Sequence, residues 1–148
     1  MIFDSRDAAI VCRHGDVWIA SQPSERDLDR WAQEGVKLVI NSRTPEETSG
    51  LAFDLAAAVQ ARGMNYVEMP IGGSWGANPE MTAALPGHLE AAGGPVVMHC
   101  RSGTRSAHLY AAHLDAIGSG GENPFDRMGW PGGRDASLVQ ALTPSPTA

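Results

Sequence analysis

The sequence predicts an α/β fold in which a central, mostly parallel sheet is flanked by helices. Short apolar and β-branched runs alternate with stretches of helical periodicity, and this alternation is typical of parallel sheets with right-handed crossovers. The chain has 148 residues, of which 43% are hydrophobic, enough to bury one core. We therefore expect a single domain over residues 1–148.

The strands are predicted at the apolar runs. The dense β-branched run at 36–40 is typical of a strand that is buried on both faces. Further strands are expected at 16–20, 66–71 and 95–99. The last of these leads directly into Cys100.

Capping residues and glycines indicate where the helices begin and end. Ser24 is a good N-cap, and the helix that follows it ends at Gly35. An Ala-rich helix is expected over 51–62. A further helix over about 79–92 should kink or break at Pro86, which cannot donate a backbone hydrogen bond.

The last long helix is predicted to begin near Thr104 and to continue to Ile117, with a helical stripe of apolar residues facing the sheet. The segment after it is rich in Gly and Pro but keeps several large apolar residues. We expect 118–148 to be a packed C-terminal extension with one short helix, and 143–148 to be frayed.

Charge and composition exclude several classes of protein. The net charge of -6 argues against nucleic-acid binding, which depends on neutralising phosphates with Lys and Arg. The N-terminal residues carry acids where a signal peptide is basic and then apolar, and no apolar run is long enough to span a bilayer. We expect a cytoplasmic protein without nucleic-acid or membrane partners.

The cysteines and histidines give further expectations. In a chain without an export signal, Cys12 and Cys100 should both be reduced. Cys12 is interpreted as a small apolar residue and Cys100 as a reactive one. The histidines lack metal-ligand spacing, so no metal or other cofactor is expected. Nothing in the sequence indicates an oligomeric state.

The segment 100–105 combines a cysteine, a glycine and two arginines between a predicted strand and a predicted helix. Ligands bind beyond the carboxyl ends of strands in parallel sheets, and backbone N–H groups at a helix N-terminus can hold an anion. Arg105 can donate to two oxygens of that anion. The candidate anion-binding residues of the loop are Arg101, Ser102, Gly103 and Thr104.

The same surroundings predict a reactive thiolate at Cys100. Helix N-termini and neighbouring arginines stabilise a thiolate and lower the pKa of the thiol. A nucleophile would then lie beside the groups that hold its substrate. The alternative is an inert core thiol, which requires neither flanking arginines nor an anion-shaped loop.

Three stretches together resemble a known family. They are Ile-Ala-Ser-Gln-Pro-Ser at 19–24, Gly-Val-Lys-Leu-Val-Ile-Asn-Ser-Arg at 35–43 and His-Cys-Arg-Ser-Gly-Thr-Arg-Ser at 99–106. They resemble the phosphatase-like domain of beta-lactamase-hydrolase-like proteins, within the dual-specificity and tyrosine phosphatase fold. The resemblance covers about 15–117 and implies a three-layer sandwich.

This resemblance implies a cysteine-dependent, phosphatase-like hydrolase whose substrate is an oxyanion such as a phosphoester. Cys100 would be the nucleophile and Arg105 the group that clamps the oxyanion. His99 would tune the thiolate through hydrogen bonds. Ser106 would offer its hydroxyl to the thiolate or to the leaving step.

Two features depart from conventional tyrosine phosphatases. Those proteins have five residues between the cysteine and the arginine, whereas 101–104 supply four. They also carry an aspartate general acid upstream of the cysteine, where this chain has the carboxylate-free loop 70–75. Glu68 and Glu80 are the nearest carboxylates in sequence. Without an acid, phosphoester cleavage should be slower by about 10²–10⁴, and aryl phosphates should suffer least.

The four-residue spacing also resembles the active-site loop of rhodaneses, in which a cysteine carries a persulfide. Sulfur transfer needs no general acid at that position, and a small ring of amides suits a persulfide sulfur as well as a phosphoryl group. A sulfurtransferase with a Cys100 persulfide and a sulfur-donor substrate is therefore an alternative. A non-catalytic anion-binding module is a second one. The match outside the loop, together with His99 and Ser106, favours the phosphatase.

Two residues outside the loop are further candidates. Arg43 follows a strand end on the same sheet edge as the loop, and it either helps to hold the anion or pairs with Glu46 or Glu47. Trp75 lies in a glycine-rich loop, where it could line the mouth of the pocket as a flat wall for an aromatic substrate.

Overall fold

The computed structural model describes residues 10–144, and in this range helices lie on both faces of one sheet. The strands are β1 (Ile10–His14), β2 (Val17–Ala20), β3 (Leu38–Asn41), β4 (Asn65–Glu68) and β5 (Val96–His99). The helices are α1 (Glu25–Gln33), α2 (Pro45–Ser49), α3 (Leu55–Ala61), α4 (Pro79–Ala92), α5 (Thr104–Ala116), α6 (Pro124–Met128) and α7 (Ala136–Leu142). The predicted three-layer α/β sandwich is confirmed.

The strand order is β1-β2-β5-β3-β4, which places β5 at the centre of the sheet. Strands β2, β5, β3 and β4 are parallel, whereas the edge strand β1 is antiparallel to β2. The expectation of a mostly parallel sheet is therefore confirmed. Because β5 has a neighbour on each side, its carboxyl end lies in the middle of the sheet edge where ligands bind in such folds.

Side chains that alternate along the buried strands divide the core into two parts. Trp18, Val39 and Val97 point to one face of the sheet. There they pack against Leu28 and Trp31 of α1 and against the buried side of α3. The other face is covered by α4, α5, α6 and α7, and α5 is buried along most of its length because it lies between the sheet and the other three helices.

Two elements go beyond the sequence prediction. Strand β1 pairs with β2 across a tight turn at Gly15, whose φ of 57° favours glycine. Helix α2 has five residues and begins with a capping box formed by Thr44 and Glu47. Strand β1 is only partly buried and α2 buries no residue, so neither element shows the apolar periodicity by which the others are predicted.

Several boundaries differ from those predicted. Helix α3 covers Leu55–Ala61 rather than 51–62, because the Asp54 side chain accepts from the Ala57 N–H and so caps the helix there. Strand β4 ends at Glu68 rather than at residue 71. Helix α4 is continuous through Pro86 and does not break; Pro86 lies on its exposed side.

Residues 118–144 contain two short helices, α6 and α7, where the sequence indicates one. Four large apolar side chains of this segment are buried, and these are Phe125, Met128, Trp130 and Leu142. Thr143, for which fraying is expected, donates its hydroxyl to the Val139 carbonyl at 2.7 Å. The rest of the segment expected to fray, 145–148, lies outside the described residues.

In the described part of the chain, no helix combines the length and the apolar character needed to cross a membrane. The acidic residues that argue against a signal peptide belong to 1–9, outside the described range. A cytoplasmic location therefore stays a prediction.

The position of α5 gives a prediction about stability. Leu109 is fully buried in α5, whereas Ile117 at the end of the same helix is 53% exposed. Leu109→Ala should lower the free energy of unfolding by about 2–5 kcal/mol, because it removes buried methyl groups and leaves a cavity. Ile117→Ala should change it by less than about 0.5 kcal/mol. Urea unfolding followed by circular dichroism measures both. Equal losses in the two variants would contradict the placement of α5.

Candidate active site

The candidate site is the loop between β5 and α5, at the carboxyl end of the central strand. Strand β5 is buried at every residue, and His99 pairs in register with Ala20 of β2 and Asn41 of β3. The chain then turns through Cys100 and Gly103 into the N-terminus of α5. The fold therefore places the cysteine where the sequence predicts it, between a buried strand and a helix N-terminus.

Cys100 lies at the base of this loop. Its side chain is buried, with the residue 1% exposed, and the Gly103 N–H donates to its Sγ at 3.1 Å. Gly103 has a φ of 94°, a left-handed conformation that strongly favours glycine, and this turn directs its N–H back to the sulfur. The predicted role of Gly103 as the turning residue fits this geometry.

Several backbone N–H groups of the loop remain free. Gly103 is the N-cap residue of α5 and, having no side chain, forms no side-chain cap. Within 10–144, no protein acceptor is bonded to the following amides: Arg101, Ser102, Thr104, Arg105 and Ser106. Unsatisfied N–H groups at a helix N-terminus, together with the helix dipole, favour an anion. The loop therefore carries the donors that an oxyanion would need, and anion binding by these residues stays a prediction.

Arg105 is held in one orientation by two partners. Its Nη1 and Nη2 donate to the two carboxylate oxygens of Glu47 at 2.7 and 2.9 Å, and Nη1 also donates to the Ile71 carbonyl at 3.0 Å. Of the five guanidinium N–H groups, Glu47 and Ile71 take three, and the two that remain are the Nε–H and one Nη2–H. These two lie on one edge of the guanidinium, the geometry that binds two oxygens of an anion.

The pKa of Arg105 is raised above its ordinary value, first by the hydrogen bonds to Glu47 and then, with desolvation opposing, by the charge of Cys100. A hydrogen bond between Arg105 and the Cys100 side chain raises the pKa of Arg105 further. Cys100 and Arg105, which the sequence pairs only by spacing, are thus brought together by the loop.

Glu47 is the charged residue of the site that the sequence argument names only as a possible partner of Arg43. It accepts from Arg105 and, at 3.2 Å, from the Arg43 Nε, and it also accepts from the Thr44 N–H and hydroxyl at the start of α2. These bonds, above all those from Arg105, hold the pKa of its carboxyl well below the ordinary value of 4.5. Glu47 is therefore ionised at neutral pH and cannot donate a proton. The Thr-Pro-Glu-Glu capping-box pattern at 44–47 is the sequence signal that places it.

Arg43 connects the site to the start of α1. In addition to its ion pair with Glu47, it donates from Nη1 to the Gln22 side-chain oxygen at 2.9 Å. The Gln22 N–H in turn donates to the Arg101 carbonyl in the cysteine loop at 3.1 Å. The predicted pairing of Arg43 with a nearby glutamate is present. Arg43 is thus connected to the cysteine loop in two ways, through Glu47 to Arg105 and through Gln22 to Arg101.

His99 is completely buried, and burial lowers its pKa to about 4, with a smaller contribution from the charge of Arg43. The imidazole is therefore neutral at physiological pH. Its Nδ1 lies 3.3 Å from the Cys100 carbonyl, so Nδ1 carries the proton and donates. The Nε2 has no partner among the described residues. His99 thus acts on Cys100 through the backbone carbonyl, and its tuning of the thiolate stays a prediction.

The hydroxyl groups around the loop differ in their surroundings. Ser102 and Thr104 share a hydrogen bond of 3.0 Å between their hydroxyls at the exposed rim. Ser106 is fully buried, and its hydroxyl has no partner within 10–144. It forms no bond to the sulfur in this arrangement, so its predicted role remains to be tested. The Arg101 side chain is exposed.

The glycine-rich loop that contains Trp75 runs beside Arg105. A Cβ atom built on Gly72 would lie 3.8 Å from the Arg105 Nη1, and Gly72 pairs with Gly76 to close a tight turn over Gly73–Trp75. Trp75 is 47% exposed at this turn. The exposed Trp75 ring is thus only three residues along the chain from Gly72, which lies beside Arg105. That this ring contacts a substrate stays a prediction.

The two nearby carboxylates are engaged elsewhere. Glu68 accepts from the Tyr66 hydroxyl at 2.9 Å and faces a cleft of about 520 Å³ formed with α2 and the segment before α3. Glu80, in the first turn of α4, lines a surface cleft with Pro144. In the described residues neither bonds to the cysteine loop, and no group of three or more His, Cys, Asp or Glu side chains is placed to hold a metal.

Comparison with known structures gives the class of protein. The structure is similar to a putative phosphatase (DUF442) of Shewanella putrefaciens CN-32, with a TM-score of 0.70 and 20% identity, covering 92% of this chain and 85% of that one. It is also similar to P. aeruginosa TpbA, in a cysteine-to-serine form in complex with pTyr, with a TM-score of 0.53 and 17% identity over 85% of each chain. The fold is that of the tyrosine-phosphatase-like proteins.

The chain belongs to the phosphatase-like domain family of the beta-lactamase hydrolase-like proteins, which matches residues 11–116. The beta-lactamase hydrolase-like protein of Agrobacterium fabrum is 34% identical over 94 residues, which is 62% of this chain. The match spans 22% of the length of that relative. The family resemblance deduced from the sequence motifs is confirmed.

The ion pairs of Glu47 predict how stability depends on pH. Because its folded pKa is depressed, Glu47 contributes stability that is fully present above its unfolded value of 4.5 and is lost as the pH falls below it. Glu47→Gln should lower the free energy of unfolding at pH 7 by about 1 kcal/mol, a value reduced for partial exposure. The difference from wild type should shrink between pH 5 and pH 3.

The matched control is Glu46→Gln, which changes the preceding, exposed carboxylate of the same helix. It should leave the pH dependence of unfolding as it is in wild type. Urea denaturation at several pH values measures both variants. A Glu47→Gln effect that is constant from pH 7 to pH 3 would show that the ion pairs do not act on stability in this way.

Proposed function

We propose that this domain is a cysteine-dependent phosphatase in which Cys100 is the nucleophile and Arg105 clamps the oxyanion. The observation that carries the proposal is the oriented guanidinium of Arg105. Glu47 and Ile71 occupy three of its N–H groups and leave the other two, on one edge, for an anion. The family and the fold support a phosphatase-type activity, and this geometry supports the roles of the two residues.

The proposed reaction has two steps. The Cys100 thiolate attacks phosphorus, so that an S–P bond forms while the P–O bond to the leaving group breaks and the leaving oxygen takes a proton from water. Water then attacks phosphorus, the S–P bond breaks, and inorganic phosphate and the thiolate result. In both steps, charge develops on the phosphoryl oxygens, where the loop amides and the free edge of Arg105 would bind it.

The proposed substrates are monoesters whose leaving group needs little help, such as aryl phosphates. Loop 70–75 supplies no carboxylate, and Glu47 is held ionised by its ion pairs. A phenolate departs more readily without an acid than an alkoxide does. The structural likeness to TpbA in complex with pTyr agrees with this class, and Trp75 provides an aromatic surface near the loop.

The sulfurtransferase alternative rests on the loop length and on the missing general acid in loop 70–75. The family and the relatives named above are phosphatase-like or hydrolase-like by name, and none is named as a sulfurtransferase. The same assay series nevertheless separates the two reactions. Sulfur transfer from thiosulfate to cyanide should be absent if Cys100 is a phosphatase nucleophile.

The deciding measurement is the hydrolysis of para-nitrophenyl phosphate. Cys100→Ser should abolish turnover, because an alcohol at this position is a far weaker nucleophile than a thiolate. Arg105→Lys should lower kcat by about 10²–10³, since the point charge of lysine cannot supply two parallel donors to the oxyanion. Thiosulfate-dependent activity without phosphatase activity in the wild type would overturn the proposal, and activity in neither assay would favour a binding module.

A second prediction concerns the two cysteines. Cys12 is half-buried, and burial raises the pKa of its thiol. Cys100 should react with iodoacetamide at least about tenfold faster than Cys12 at pH 7, because a helix N-terminus and Arg105 favour its thiolate. Inorganic phosphate should protect Cys100 and leave Cys12 unaffected. Peptide mass spectrometry after timed alkylation measures the two rates, and equal rates would contradict the assignment of the nucleophile.

A further inference from the structure

The segment after α5 reaches back to the cysteine loop. The family match ends at residue 116, and the segment from α6 to α7 lies beyond it. Trp130, which follows α6, is only 4% exposed. A Cβ atom built on Gly103 would lie 3.3 Å from Cζ3 of the Trp130 ring and 3.4 Å from the Ala20 carbonyl oxygen. Gly103 is therefore wedged between the indole and the end of β2.

The indole itself is fixed from several sides. Its Nε1 donates to the Gly133 carbonyl at 3.0 Å, and the Trp130 N–H donates to the Phe125 carbonyl at 2.9 Å. Arg134 forms an ion pair with Asp126 of α6 at 2.7 Å, which closes the turn around the ring. A ring held in this way can act as a rigid wall rather than as a mobile filler.

A second connection runs through His108 of α5, one turn after the loop. Its Nδ1 donates to the Thr104 carbonyl at 2.7 Å, and its Nε2 accepts from the Asp135 N–H at 2.8 Å. The ring of Phe125 packs edge-on against the imidazole, with the centroids 4.9 Å apart. The first turn of α5 is thus tied to the segments on both sides of Trp130.

We propose that Trp130 and His108 are positioning residues, through which the segment 124–142 holds the Cys100 loop in the conformation that binds the thiolate and the oxyanion. The Gly103 N–H reaches the Cys100 Sγ only while Gly103 keeps its left-handed turn, and the indole blocks the space into which the loop would relax. Neither residue touches the reacting atoms. The inference rests on the proposed function, because it concerns the reactivity of the proposed nucleophile.

The test measures the rate at which iodoacetamide alkylates Cys100 in the full chain at pH 7, below the unfolding temperature of every variant. Trp130→Ala should slow the reaction by about tenfold, the effect expected when one hydrogen bond to a charged group is lost. His108→Ala should slow it in the same direction. Trp130→Phe should restore most of the rate, because it keeps a flat ring against Gly103. If Trp130→Ala does not fold, Trp130→Leu is used in its place with the same expected loss.

Leu142→Ala is the control, because Leu142 is fully buried in α7 and is not among the groups that crowd Gly103. It should destabilise the protein and leave the alkylation rate of Cys100 within about twofold of wild type. A wild-type rate for Trp130→Ala, or an equal slowing by Leu142→Ala, would overturn the inference while the proposed function stands. A wild-type Cys100 no faster than Cys12 would remove the proposed function and the inference together.

Discussion

The ion pair between Glu47 and Arg105 is the interaction on which the candidate site depends. It joins α2, which follows β3, to the first turn of α5, which follows β5, and so connects two neighbouring strands of the sheet beyond their carboxyl ends. The pair is worth little as a contribution to stability, since it is partly exposed. Its importance is geometric: a guanidinium bound at one edge by a carboxylate offers the other edge in a fixed direction. Without the carboxylate, Arg105 would sample several rotamers, and each anion bound would first have to order it.

Around that pair, the loop tolerates features that a stable core normally avoids. Gly103 adopts a left-handed turn, and the hydroxyls of Ser42 and Ser106 and the Nε2 of His99 are buried without partners among the described residues. Each such group costs free energy, and these three of the four such atoms in the described residues lie at the ends of the central strands or in the first turn of α5, whereas the fourth, the Nδ1 of His113, lies near the other end of α5. Local departures of this kind concentrate where a protein positions a ligand. The rest of the sheet, whose strands are almost wholly apolar and buried, supplies the stability that makes them tolerable.

A feature of this protein could be predicted from the sequence where the residues that form it are close together in the chain. The loop 99–106 is contiguous, so the strand, the turn at Gly103 and the helix start could be deduced together, and the alternation of elements fixed the parallel sheet. Glu47 was accessible only as a possible partner of Arg43, because its bond to Arg105 spans 58 residues of chain and depends on how β3 and β5 pair. The sequence shows only that Trp130 is apolar and does not predict its contact with Gly103. That contact results from how α6 and α7 fold back onto α5. Strand β1 and helix α2 could not be predicted, because they bury too few side chains to produce a regular pattern of apolar residues.

The charge balance of the site bears on which leaving groups the proposed reaction could expel. Arg43 and Arg105 carry two positive charges and Glu47 one negative charge, so the cluster keeps one net positive charge beside the thiol. That charge favours an anionic substrate, but it also disfavours any neighbouring carboxylic acid in its protonated form, because a nearby cation lowers the pKa of a carboxyl. A general acid placed next to this cluster would therefore be ionised at neutral pH unless it were separately buried. The absence of a carboxylate from loop 70–75 and the positive cluster are thus consistent with each other. Both agree with the proposed reaction, in which electrostatic binding of the phosphoryl oxygens would provide the catalysis and the leaving group would depart with little assistance.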